Sequence, residues 1–72
     1  MHYLYQIVTS VVAYTLYEED CYPVLHITNL DTEETKDITH TSEILDILTF
    51  DQEVSPQDYD IFEELVSVCR HC

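Results

Sequence analysis

Residues 37–68 read DITHTSEILDILTFDQEVSPQDYDIFEELVSV, and their pattern decides how the chain folds. Apolar residues recur at helical spacing, first as Ile44, Leu45, Ile47 and Leu48, then as Ile61, Phe62, Leu65, Val66 and Cys69. Positions three and four apart share one side of a helix, so each run supplies a face that can be buried. Nine carboxylates are interleaved with them (Asp37, Glu43, Asp46, Asp51, Glu53, Asp58, Asp60, Glu63, Glu64), and no Lys or Arg. The stretch can therefore pack while displaying a negative surface that nothing within it neutralises.

Its sharpest boundary is Ser55-Pro56-Gln57-Asp58. A Ser caps the free N–H groups of a helix start, Pro suits the first helical position, and an acid suits the first turn. This predicts a helix running to about residue 71, with Arg70 and His71 at the end that favours cations. Ile61, Leu65, Val68 and Cys72 fall on one apolar face, with Phe62, Val66 and Cys69 beside it. Residues 39–42 offer several caps for a shorter helix over 42–50, and residues 51–54 read as a loop.

Upstream the period changes. Residues 1–17 hold no Asp, Glu, Lys or Arg and are rich in Tyr, Val, Ile and Thr. Such residues fit a pleated, half-buried surface. Tyr3, Tyr5 and Ile7 alternate with Leu4, Gln6 and Val8. No Gly or Asn stands near Thr9-Ser10 to make a primed turn, so one long strand with a bulge there is expected. Glu18-Glu19-Asp20 reads as a hairpin loop and Pro23 as the first residue of the next strand. In that strand Leu25 and Ile27 take one face, His26 and Thr28 the other. Residues 31–34 form an acidic turn, and residues 35–38 a short edge strand. The expected fold is a single α+β domain over residues 1–72: an antiparallel sheet of about three strands at 2–38, then two helices at 42–71 on one of its faces.

Seventy-two residues bury only a thin core. Against that background, fifteen Asp and Glu face two Lys and Arg, a formal charge of −13. Such a surface repels nucleic acid and anionic membrane and attracts basic proteins. There is no apolar run long enough to span a membrane and no secretory signal pattern, and three cysteines (Cys21, Cys69, Cys72) disfavour a closed disulfide framework. These features suit a reducing cytoplasm. No catalytic constellation stands out, and a domain of this size has little room for a cleft, so a non-enzymatic role is expected. Cys69-Arg70-His71-Cys72 lacks the second cysteine pair of a zinc site, and residues 31–34 lack the glycine and closing Glu of a calcium loop. No metal or cofactor is expected.

The acids themselves are the candidate working part. They recur in the turns as Glu18, Glu19, Asp20, Asp31, Glu33 and Glu34, and on the helices as Asp46, Asp58, Asp60, Glu63 and Glu64. Acids three or four apart on a helix are about 5–6 Å apart at Cβ. That is of the order of phosphate spacing along a nucleic-acid strand. A basic groove built for DNA would thus find a substitute here. The uncharged, aromatic stretch before the first acidic turn suggests a second role, pairing with its copy in a homodimer through Val11, Val12, Tyr14, Leu16 and Tyr17.

In size, charge and strand-then-helix order the chain resembles the small acidic DNA-mimic proteins that phages direct against host DNA-binding machinery. The family includes the inhibitor of the nucleoid protein HU made by Bacillus phages, anti-CRISPR proteins, and inhibitors of restriction enzymes. The resemblance implies an acidic dimer that occupies the DNA-binding surface of a basic host protein in the host cytoplasm. It carries over no individual residue. The competing reading is an interaction module that binds through an apolar strand or helix face, its acids merely solvated.

Self-repulsion at −13 is screened by salt. The melting temperature is therefore expected to rise as NaCl increases from about 0.01 to 1 M, the range over which screening shortens from about 30 to 3 Å. A flat or falling trend would show that the charges are already neutralised within the fold.

Overall fold

The uncharged N-terminal stretch folds as two strands, not one. The computed structural model describes residues 2–69. It places β1 at His2–Val8 and β2 at Val12–Glu19, paired antiparallel from Val8 opposite Ala13 to His2 opposite Glu18. The expected single bulged strand is corrected by the side chain of Thr9. Its Oγ1 accepts from the N–H groups of Val11 and Val12 and donates to the Val12 carbonyl, while its own N–H bonds the same carbonyl at 2.8 Å. A hydroxyl thus satisfies the turn that Gly or Asn more often makes. The irregularity lies elsewhere, between Tyr3 and Tyr5, and it sends Tyr3 to one face of the sheet and Tyr5 and Ile7 to the other.

Strand β3 (Tyr22–Asn29) follows a tight turn at Asp20-Cys21, so Glu18 and Glu19 belong to β2 and Pro23 is the second residue of its strand. Both turn residues have positive φ, 50° and 69°. That is the backbone of a primed hairpin turn, here made without glycine. Strand β4 (Thr35–Ile38) is the predicted edge strand. Between β3 and β4 the Asn29 side chain accepts from Asp31 and Thr32 N–H, and Glu33 takes a φ of 63°. The sheet has four strands in the order β1-β2-β3-β4, one more than expected.

Helix α1 spans Thr41–Phe50 and α2 spans Pro56–Cys69. The start of α2 follows the sequence signal: Ser55 Oγ accepts the Asp58 N–H at 3.1 Å. The start of α1 does not, because His40 occupies the cap position and makes no side-chain bond there. The continuation of α2 through Arg70 and His71, and the Cys69–Cys72 spacing, lie partly outside the described residues.

Both helices pack on one side of the sheet. Ile44, Leu48, Phe62 and Val66 join Ile7, Tyr14, Leu16, Leu25 and Ile38 in a single apolar cluster. Phe62 lies at its centre, wholly buried, with its ring edge-on to Tyr5 at 5.6 Å. On α2 the buried side is Phe62, Val66 and Cys69, flanked by the partly buried Ile61 and Leu65. Val68, expected on the apolar face, is 61% exposed.

The β1–β2 turn rests on one hydroxyl. Thr9→Val should cost about 1–3 kcal/mol by leaving turn N–H groups without an acceptor, whereas Thr9→Ser should cost much less. Urea unfolding of both variants checks this, and equal losses would assign the effect to packing rather than to the hydroxyl.

Candidate functional site

All fifteen carboxylates lie among the described residues, and the fold sorts them into two populations. Five are used inside the domain. Asp51, at the end of α1, accepts the hydroxyl of Tyr14 from β2. Asp58, in the first turn of α2, accepts the Tyr5 hydroxyl from β1 at 2.9 Å. Glu53 takes both the N–H and the hydroxyl of Ser10, at 3.2 and 2.8 Å. Glu18 lies 3.6 Å from the Cys69 thiol, and Asp37 lies 2.6 Å from His26 Nδ1. Only the last of these becomes an ion pair, when the imidazole is protonated; it is the one such pair among the described residues.

The other ten carboxylates (Glu19, Asp20, Asp31, Glu33, Glu34, Glu43, Asp46, Asp60, Glu63 and Glu64) are exposed and have no side-chain partner among the described residues. Their positions follow from the elements that carry them. On α1, Glu43 and Asp46 lie opposite the buried Ile44 and Leu48. On α2, Asp60, Glu63 and Glu64 lie opposite Phe62 and Val66, around a shallow depression that Ser67 and Val68 complete. The two helices share one layer, so these five acids form its outer surface. Glu19 and Asp20 sit at one end of β3 and Asp31, Glu33 and Glu34 at the other, about 27 Å apart for eight residues of strand.

The eleven acids singled out in the sequence are therefore not one patch. Asp60, Glu63 and Glu64 are brought together, with Asp46 in the same layer. The two turn groups stand at opposite ends. Asp58 and Glu18 are half-buried and engaged, and so belong to the domain's own packing. Glu43 was not among the eleven, although its i, i+3 spacing to Asp46 was there to read. The expected dimer residues are dispersed. Tyr14 and Leu16 are buried in the protomer's core and Val12 packs against it. Val11 is in the turn, and Tyr17 is half-buried on the far side of the sheet. As an inner strand, β2 already bonds β1 and β3, so it cannot pair with a copy.

The internal contacts shift the groups that make them. Burial raises the Tyr14 phenol above its usual range, and the Asp51 carboxylate raises it further. Tyr5 is raised by its bond to Asp58. Burial also raises the Cys69 thiol, with Glu18 adding to it, which favours the protonated form of a side chain that packs against the core. It is a free thiol, whereas Cys21 is disulfide-bonded, which the odd cysteine count did not lead one to expect. No cluster of three or more potential metal ligands occurs among the described residues, and no helix there is long and apolar enough to cross a membrane.

No protein family, curated protein or solved structure matches this chain.

A group whose pKa is raised by folding stabilises the fold fully below its unfolded value, and that contribution is lost as pH rises toward the folded one. Tyr14, ordinarily near 10.0, is such a group. Stability should thus fall as pH rises above about 10, and Tyr14→Phe should flatten that decline. Melting temperatures of both proteins from pH 8 to 11.5 check this; parallel curves would show that Tyr14 is not the group responsible.

Proposed function

We propose that this protein is a non-enzymatic DNA mimic that binds a basic DNA-binding protein and blocks its access to DNA. The observation that carries the proposal is the helix layer with Glu43, Asp46, Asp60, Glu63 and Glu64 on its outer side and, among the described residues, no cation paired with them. Solubility alone needs far less charge than −13, and beyond that the charge opposes folding. Acids in rows on two adjacent helices offer a cationic groove spaced negative charge on a rigid support. Such a groove gains affinity by the same counterion release that drives its binding to phosphate. The resemblance to phage-encoded inhibitors makes the nucleoid protein HU the first candidate partner and the host cytoplasm the place of action. CRISPR effectors and restriction enzymes, which also hold DNA in basic channels, are the alternatives.

Capture from a bacterial lysate on immobilised protein tests the reading. Basic DNA-binding proteins should be retained at low salt and released as salt rises. Glu63→Gln with Glu64→Gln should weaken retention about tenfold to a hundredfold, since each close charge pair across an interface contributes about 1.5 kcal/mol in favourable cases and either one or both are lost. Retention that is insensitive to salt and to these changes, but lost on substituting Tyr17, would instead assign the protein to the apolar interaction modules.

A further inference from the structure

The sheet has a second face that neither α1 nor α2 covers within the described residues. Side chains alternate across each strand, so the residues opposite those of the core point away from the helices. Tyr3 pairs with Tyr17, and Thr15 with His26, which in turn pairs with Asp37. None of these five belongs to the core cluster. Three of them form an aromatic strip across β1, β2 and β3. Tyr3 meets Tyr17 edge-on at 6.2 Å, and Tyr17 meets His26 edge-on at 6.3 Å. Asp37 closes the strip on β4. Its Oδ1 is engaged by His26, its Oδ2 has no partner among the described residues, and its side chain is 55% exposed.

Cross-strand aromatic pairs stabilise sheets on their own account. Two features go beyond that. Tyr3 is 57% exposed at the edge, so part of the strip is open to a ligand. At the far end Asp37 keeps one carboxylate oxygen open: His26 engages only Oδ1, and Lys36, the neighbouring residue on β4, is turned by alternation to the other face. Aromatic rings beside a carboxylate suit a planar cation, which stacks on the rings and offers a fork of donors to the oxygens. Bases would also stack on such a strip, but the net charge of −13 repels the phosphates that come with them.

We propose that this strip is a guanidinium site, taking arginine side chains of an extended basic segment laid across the uncovered face. The inference rests on the partner being basic, as above, and adds how a flexible part of it is held. Basic DNA-binding proteins often carry basic arms beside their folded groove. The strip crosses four strands spaced about 4.8 Å apart, roughly 14 Å, which about five extended residues span at about 3.3 Å each. One partner can thus hold the helix acids with its body and the sheet face with an arm.

The test uses a capped octapeptide of alternating Arg and Thr, its Lys analogue and its Gln analogue, titrated into isotopically labelled protein by NMR. Amide shifts should centre on Tyr3, Tyr17, His26 and Asp37. The Lys analogue should bind about three- to tenfold more weakly, since it keeps the charge but lacks the planar fork, and the Gln analogue should not bind detectably. Tyr17→Leu should weaken the Arg peptide about threefold or more. Tyr3→Leu, at the exposed edge, serves the same purpose should Tyr17→Leu impair folding. Glu63→Gln with Glu64→Gln should leave this affinity within about twofold, because exposed charges farther away than a Debye length are screened. Shifts confined to the helix layer, equal affinity for Arg and Lys peptides, or no shift at all would overturn the site. Lysate capture on the Tyr3→Leu protein separates this from the broader reading: capture that persists in the absence of a peptide effect leaves DNA mimicry standing and removes only the guanidinium site.

Discussion

A carboxylate cannot be buried without a partner, and this chain supplies almost no cations to be one. The fold meets that constraint with neutral donors. Tyr14 and Tyr5 hydroxyls reach Asp51 and Asp58, Ser10 reaches Glu53, and the Cys69 thiol approaches Glu18. Each contact crosses between the strands and the helices or the loop that joins them. Together they tie the two layers at several points around the Phe62 core without adding positive charge. Hydrogen bonds to a charged group contribute more than neutral ones, most where water is excluded, as at the half-buried Tyr14–Asp51 contact. In a domain whose core is thin and whose surface repels itself, a few such bonds are a large share of the margin.

The same constraint divides the acids by role. A carboxylate that accepts from a tyrosine or serine is fixed in place and serves the fold. One that finds no donor must stand in water or meet a partner. Among the described residues ten are of the second kind, and five of these share the outer side of the helix layer. The sheet divides the remaining surface. Its helix-facing side is core, and its other side carries an aromatic strip with few charges. The protein thus presents two unlike surfaces, both of which suit cations: spaced carboxylates on the helices, and rings with one carboxylate on the sheet.

Much of this was legible in the sequence. Helix α2 could be placed because Ser55-Pro56 is a local signal that needs no tertiary context, and its cap bond formed as read. The two faces of β3 followed from alternation, and β4 from a short polar run after an acidic turn. The β1–β2 hairpin was missed because its turn depends on one Thr hydroxyl, and threonine marks strands more often than turns. The shift between Tyr3 and Tyr5 broke the alternation without any sign in the residues themselves. The bonds from Tyr5 to Asp58 and from Tyr14 to Asp51 join positions 53 and 37 residues apart, a separation that no local pattern reports. For that reason Asp58 and Glu18 looked like free acids, and Tyr14 and Leu16 like an exposed strand.

In the function proposed above, the helix-layer carboxylates take the place of phosphates in a basic groove. The most direct measurement is competition: fluorescence anisotropy of a labelled DNA duplex bound to purified HU, with this protein added at low salt. The account predicts that anisotropy falls to the value of free DNA as the protein approaches a fixed ratio to HU, and that a variant with Asp60, Glu63 and Glu64 all changed to their amides displaces far less. Unchanged anisotropy, or a rise showing protein and DNA bound together on HU, would contradict it.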